Sequence, residues 1–487
     1  MVEKELEEIL DNERILSDPV ILKEYSSDMS FTPIVEPRLV VRPRNAEEVQ
    51  NLVKWANVAR VNLVPVSSGP PHFRGDTVPG VVGSVIVDLS EMKKVFRIDQ
   101  ENRIAMIEPG VTFEEIIPQL EKEGLRLNMP LLPRHSKSVI GSMLDREPVI
   151  MPMYQWDSQD PLTCTEVVFG TGDIFRTGSA AGPGSLEDQW NARQAQVNPM
   201  GPGQTSFGNV LQGAQGTLGI VTWATVRCEM LPVLQESFLV GSDKYESLSE
   251  FVYRILWWKA CEECMILNNC HLAAILAKTP EEYIKYRDSL PQWVLFYSLA
   301  GFTYYPEEKI AYQKKALVEE VKKVGLVIEK SVSGVSADEL LKLIQKPSEG
   351  PYWKLCRKGA FQDIFFQTTL DKVPQFVNVM QEKAGQYSYD PTDMGIYVQP
   401  MVQGTSCHCE FVLFYNPLNA EDVSRMKELY FQAGKALIDA GAFFNRPHGT
   451  LACEVYQRDA ATTAALKKVK GIFDPENIMN AGKLCFK

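Results

Sequence analysis

The 487-residue chain is 45% hydrophobic and has a formal net charge of −12, with 50 Lys and Arg against 62 Asp and Glu. A surface of that sign repels a phosphate backbone, which excludes a nucleic-acid partner, and the length and apolar content suit a large core divided over two or three folding units. No 18-residue apolar run is present to cross a membrane, and the acidic start Met1-Val-Glu-Lys-Glu-Leu lacks the basic flank of a signal peptide, so the expected location is the cytoplasm.

In chain order, residues 1–36 predict an acidic helical lead-in. Asn45 then reads as the cap of a helix, with Glu48 three residues on and Val49, Leu52, Val53 and Ala56 repeating along one face. Val61 through Val66 and Ile86 through Ser90 predict strands, and Arg103 through Gly110 another, after which Thr112 and Glu115 form a capping box that opens a helix. Glu166 to Phe169, the turn Thr171-Gly-Asp173 and Ile174 to Arg176 predict a hairpin, and the Gly/Pro-rich run from Gly178 to Gly208 a loop. Beyond Pro232 the pattern shifts to longer amphipathic segments at Tyr245 to Cys261, Glu307 to Gly325 and Asp422 to Ala440, separated by strands. This predicts a second α+β domain.

Ten cysteines spread through the chain fit a reducing compartment better than a disulfide scaffold. Cys261, Cys264, Cys270 and His271 begin like a ligand cluster, but a helix up to Cys261 and a strand from Met265 to Leu276 would part them, and no metal is assigned. Cys407 and Cys409 flank His408 on a predicted strand, so the thiols face away from the imidazole.

The segments Pro65-Val-Ser-Ser-Gly69, Ile86 to Gly124, Ser138-Val-Ile-Gly141-Ser142 and Gly216-Thr-Leu-Gly-Ile-Val-Thr222 occur in the order found in FAD-linked oxidoreductases. The chain resembles the vanillyl-alcohol oxidase and p-cresol methylhydroxylase family. The resemblance implies an α+β fold with a two-subdomain FAD-binding domain over 1–231 and a cap or substrate domain with an antiparallel sheet over 232–440. Residues 441–487 would return to the FAD domain, as the terminal Phe473-Asp-Pro-Glu-Asn-Ile-Met-Asn480-Ala-Gly-Lys483 suggests. It implies FAD as cofactor, held by Pro65, Ser67, Ser68, Gly69, Ser138, Val139, Gly141, Ser142, Gly216, Gly219, Ile220, Val221, Asn480 and Lys483. The chain departs from the pattern at Pro70-Pro-His-Phe-Arg-Gly75, where relatives carry a glycine-rich turn and proline removes backbone donors. His408 and His72 are the two candidates beside the ring or for a covalent tether, and attachment stays open.

The stretch through Tyr154 to Asp157 resembles the segment whose acid serves as base; Asp157 is the candidate, with Gln155 nearest the usual position. Phe444-Asn-Arg446-Pro-His448 resembles the segment that holds a phenolate, with Asn445 and Arg74 standing where tyrosines are usual. The resemblance implies hydride transfer from a para-substituted phenol or aromatic alcohol to flavin N5, with Arg446 holding the substrate anion and Asp157 or His448 taking a proton. Two guanidinium groups on one pocket would also suit a carboxylate, so a 2-hydroxy acid dehydrogenase of the glycolate or D-lactate type is the alternative. Against it, Met401 and Gly404 stand where that branch carries metal ligands. An electron-relaying flavoprotein subunit is the other alternative. The partners expected are a small-molecule substrate, a cytochrome, iron-sulfur or electron-transfer flavoprotein acceptor, and a second copy of the chain.

Overall fold

The computed structural model describes residues 2–153, 161–203 and 206–486. Its strands form three main sheets. In the first, β2 (Leu39–Val41), β4 (Val85–Asp88) and β3 (Leu63–Val66) run parallel, and β1 (Ile15–Leu16) pairs antiparallel with β2. These strands are almost continuously apolar because helices and the second sheet cover both faces. Val49, Leu52, Val53 and Ala56 of helix Ala46–Ala59 share one core with Val41, Val85, Val168 and Ile220, which joins the first sheet to the second.

The second sheet is antiparallel, in the order β5 (Val95–Asp99), β6 (Ile104–Ile107), β10 (Gly219–Met230), β8 (Leu162–Phe169) and β9 (Ile174–Arg176), with β7 (Leu125–Leu127) on the far end of β10. Helix Phe113–Lys122 opens with the predicted box: Thr112 accepts from the Glu115 N–H while the Glu115 carboxylate accepts from that of Thr112.

The third sheet is also antiparallel, in the order β11 (Leu234–Ser242), β13 (Trp293–Gly301), β12 (Cys264–Asn268), β17 (Met394–Met401), β18 (Ser406–Tyr415) and β16 (Ala360–Thr368); β14 (Ser331–Val332) and β15 (Val335–Ser336) form a separate short hairpin. One face packs against helices Tyr245–Trp257, Pro306–Lys323, Val373–Gln386 and Ala420–Asp439. The other packs its Leu267, Tyr397 and Phe361 with Leu131, Leu132 and Ile150 of the N-terminal half. Phe444 and Leu451 stay with the outer core of this sheet. Helix Ala460–Phe473 leads the chain back: Phe473 stacks on Phe169, Met479 bridges Leu63, and the Asn480 N–H donates to the Leu63 carbonyl.

Four local expectations need correction. The apolar run Met265 to Leu276 is not one strand: Asn268 accepts from the His271 N–H and starts helix Asn269–Leu276, a cap that apolar periodicity alone does not reveal. The 178–208 run contains helix Leu186–Asn191, opened by a Ser185/Asp188 capping box. The lead-in is not helical throughout, since it also supplies β1. Asn45 does cap its helix, but the Glu48 carboxylate binds Arg14 and the Arg44 N–H in place of closing a box.

Candidate functional site

A groove runs between the first two sheets and helix Val139–Leu144, lined by Pro65, Ser67, Asp76, Gly141, Gln215, Gly216 and the β10 start Gly219 to Val221. Small residues hold it open. A Cβ on Gly141 would lie 2.9 Å from the Ser67 hydroxyl, and one on Gly216, whose φ is +70°, would lie 2.4 Å from Pro65 Cγ. Ile220 and Val221 bury their side chains in the cores, so they can face the groove only with backbone.

Several predicted binding residues fix the walls. The Ser138 hydroxyl donates to the Pro109 carbonyl and accepts from the Gly141 N–H; Val139 is core; Ser142 donates to Glu147. Ser68 accepts from the Ser138 N–H at 3.0 Å, and the Gly69 N–H donates to Ser136 at 3.1 Å. The Gly69 N–H is thus spent within the chain, whereas the Ser68 hydroxyl, an acceptor here, keeps its own proton to donate. Asn480 ties the groove's two sides, donating to the Asp76 carbonyl at 3.0 Å and the Gln215 carbonyl at 2.8 Å, and Lys483 donates to the Gly75 carbonyl at 2.7 Å. The Asn480 carbonyl oxygen is buried without a hydrogen-bond partner. A narrow groove with glycine walls, exposed strand-edge backbone and an orphaned polar atom fits an extended dinucleotide such as FAD.

Past Pro65, Ser67 and Gly141 the groove continues into a cavity of about 180 Å³ facing the third sheet, walled by Phe73, Tyr352, Trp353, Phe361 and Tyr397 and by charged side chains. Two ion networks dominate it. In the first, Asp145 contacts Arg74, lies 3.3 Å from Arg446 and 3.3 Å from His448 Nε2, and Arg74 also reaches Glu147 at 3.0 Å. Both guanidinium groups pack on Phe365, at 5.0 Å and 4.4 Å from the ring centre. Burial raises the Asp145 pKa, but Arg74, then His448 and Arg446, outweigh it and hold the carboxyl well below its usual range. Burial also opposes the charge of Arg74, yet Asp145 and Glu147 raise it above normal; for Arg446, farther from the shared carboxylate, burial wins and the pKa falls to about 10. Arg74 therefore has Asp145 and Glu147 as its partners.

In the second network, Lys354 binds Glu410 at 2.6 Å and Asp363 at 2.9 Å, and His408 Nε2 lies 3.4 Å from Glu410. Burial, with Lys354 opposing, lifts Asp363 to about 6; the nearer Glu410 is held well below normal because Lys354 and His408 overcome its burial. His408 is fully enclosed, and its partner Glu410 forms the cavity wall in front of it. His72 does line the cavity, and its Nε2 has no partner. Asp157 and Tyr154 fall outside the described residues.

Asp145, Lys354, Asp363 and Arg134 escaped sequence reasoning. An acid inside an otherwise apolar strand, as at Asp363 and Glu410, was the available signal, because such a group is buried only with a partner. The cysteine cluster is dispersed: Cys261 and Cys264 are in the outer core, the Cys270 thiol donates to the Thr392 carbonyl, and His271 packs between Trp353 and Tyr397. Among the described residues no group of His, Cys, Asp or Glu is arranged to hold a metal ion, and no helix is long and apolar enough to cross a membrane.

Burial lowers His72 and His271 to about 3 and His408 to about 4, from an unfolded value near 6.5. The unfolded chain therefore binds more protons between those values, and stability drops as pH falls below 6.5. Asp363, raised in the fold, acts in the opposite direction between about 4 and 6. We expect a net uptake of roughly two protons on unfolding near pH 5 from these four groups. A melting temperature independent of pH from 7 to 5 would contradict this.

The chain matches the FAD binding domain over residues 37–178 and the C-terminal domain of FAD linked oxidases over residues 366–484. It is 24% identical over 496 residues to D-2-hydroxyglutarate dehydrogenase of Stutzerimonas stutzeri (strain A1501), covering 99% of this chain and 98% of that one. It is 30% identical over 212 residues to the flavoprotein subunit of 4-cresol dehydrogenase [hydroxylating] of Pseudomonas putida, covering 42% of this chain and 39% of that subunit. The crystal structure of p-cresol methylhydroxylase with substrate bound superposes with a TM-score of 0.85 at 19% identity, over 100% of this chain and 96% of that one.

Proposed function

Since the chain belongs to the FAD-linked oxidoreductases, we propose that it oxidises an activated C–H bond of a small organic molecule held in the cavity between the groove and the third sheet. The observation that carries this reading is the continuity of the groove with that cavity through Pro65, Ser67, Asp76, Gly141 and Asp145. Residues 65–69, 138–142 and 216–221, with Asn480 and Lys483 bracing the walls, would hold FAD. When bound, FAD supplies the acceptor of the hydride.

The protein's own side chains do the rest. Phe73, Tyr352, Trp353, Phe361 and Tyr397 give this otherwise charged cavity an aromatic side against which an aromatic body can pack, which supports a para-substituted phenol or aromatic alcohol. Arg446, only 3% exposed, orients the substrate oxygen and holds its negative charge in a medium of low dielectric. His448, 3.3 Å from Asp145 and lining the cleft that adjoins the cavity behind Arg446, would keep a proton removed from that oxygen, with Asp157 as the other candidate. Reoxidation would fall to a cytochrome, iron-sulfur or electron-transfer flavoprotein, and the working form would be a cytoplasmic homodimer. A 2-hydroxy acid is the second reading, supported by the full-length similarity to D-2-hydroxyglutarate dehydrogenase and by the absence of tyrosine at Arg74 and Asn445.

Anaerobic addition of candidate phenols, aromatic alcohols and 2-hydroxy acids to the flavin-loaded protein tests the reading: bleaching of the flavin absorbance is expected with one class, and none with any class refutes it. Gly141→Leu should fill the groove beside Ser67 and lower the flavin-to-chain ratio at least tenfold with the far-ultraviolet circular dichroism unchanged. Full flavin content in that variant would remove residues 138–142 from the binding site.

A further inference from the structure

Five cationic side chains line the cavity: Arg74, Arg134, Lys137, Lys354 and Arg446. Four are in ion pairs, Arg74 and Arg446 with Asp145, Lys137 with Glu147 at 3.4 Å, and Lys354 with Glu410 and Asp363. Arg134 pairs with no carboxylate among the described residues, although it is 8% exposed. One terminal nitrogen, Nη1, donates to the Pro71 carbonyl, while Nε is buried with no partner. The Nε–Nη2 edge, two parallel N–H groups in one plane, is left for something else. Other groups without a hydrogen-bond partner belong to side chains that line the same cavity, His72 Nε2 close to Arg134 and the ring nitrogens of His271. Burial outweighs the more distant Glu147 and Asp76 and lowers the Arg134 pKa to about 10, and an anion in direct contact would restore the balance.

We propose that the substrate of this cavity carries a carboxylate and that Arg134 is the residue that anchors it. The inference rests on the reading of the cavity as the substrate site and narrows its substrate class. A carboxylate matches the two-donor edge of a guanidinium better than a lone phenolate oxygen does. Phe73 lies under the guanidinium at 5.5 Å, and the His135 N–H and Ser348 N–H bind across to the Ser348 and Pro133 carbonyls, so the edge is held in one orientation. His72, held neutral at pH 7 by burial and by the nearby Arg134, can donate one N–H to the same anion. An anionic group of the cofactor is the other source of such a charge. Arg134 does not line the groove beside Gly216 and Val221; it faces Tyr352 and Trp353 of the third-sheet side, which favours the substrate.

Calorimetric titration of the flavin-loaded protein with benzoate and with its neutral analogue benzamide, followed in parallel by intrinsic tryptophan fluorescence, tests the assignment. The wild type should bind benzoate on the order of 100-fold more tightly than benzamide, the scale of a buried charge-assisted pair. Arg134→Gln should lose that preference with its flavin-to-chain ratio unchanged, and Arg134→Lys should recover part of it. Equal affinity of the wild type for the two probes overturns the proposal even if Arg134→Gln does not fold. A fall in flavin content with the benzoate preference intact assigns Arg134 to the cofactor and overturns it too. A wild type that takes up no flavin defeats the substrate-site reading itself, whereas a flavin-loaded wild type indifferent to benzoate defeats only the Arg134 assignment.

Discussion

Replacing Asp145 by Asn should cost about 3–5 kcal/mol of stability, the range found when one partner of a buried ion pair is removed. Asp145 is 14% exposed and is shared by Arg74 and Arg446, with His448 beside it, so its loss strands the buried Arg446 and leaves Arg74 with Glu147 alone. Solvent cannot screen what remains. The effect has a pH signature. The folded carboxyl titrates well below the unfolded value of about 3.9, so the stability it contributes is complete above that value and is lost as pH falls through the folded pKa. Thermal melts of the wild type and Asp145→Asn should be far apart at pH 7 and should converge below pH 4. Superimposable melts at pH 7 would show that Asp145 is not the hub described.

The second large effect is expected at Lys354. Lys354→Met leaves Asp363 and Glu410 facing each other in the cavity wall without their cation, with a predicted loss of about 3–5 kcal/mol. Asp363 is already raised to about 6 with Lys354 present, so without it the carboxyl should hold its proton to higher pH. The sign then reverses relative to Asp145: a carboxyl whose folded pKa exceeds its unfolded one favours the fold at low pH, and the variant should lose stability as pH rises from 5 to 8. Adding Asp363→Asn and Glu410→Gln to Lys354→Met removes the stranded charges and should restore most of the melting temperature. If the triple variant melts no higher than the single one, packing around the lysine stem, not charge, explains the loss.

Local chemistry was legible in the sequence wherever a rule acts within a few residues. The Thr112 box, the Val49 to Ala56 stripe and the hairpin from Glu166 to Arg176 all form where they were expected. Asn268 shows the limit: a polar residue inside an apolar run can cap a helix or sit on a strand, and only packing decides. The site was legible as a set of pieces but not as a circuit. Arg74 and Arg446 do converge, yet on a carboxylate of the chain itself, and Asp145 and Arg446 are 301 residues apart in sequence. Lys354 and Glu410 are separated by 56 residues, and no periodicity links them. A long-range ion pair depends on sheet order, which a linear pattern does not encode.

The clasp made by the final residues bears on when the protein can mature. Lys470 donates to the Thr217 and Met479 carbonyls and pairs with Asp474, whose carboxylate accepts the Ile478 and Met479 N–H groups, while Asn480 reaches Asp76 and Gln215. Asp76, Gln215 and Thr217 leave the ribosome hundreds of residues before Asn480 does. If these residues brace the cofactor groove as proposed, a nascent chain stalled before residue 470 should emerge as an unloaded, protease-sensitive species however well its earlier sheets have formed.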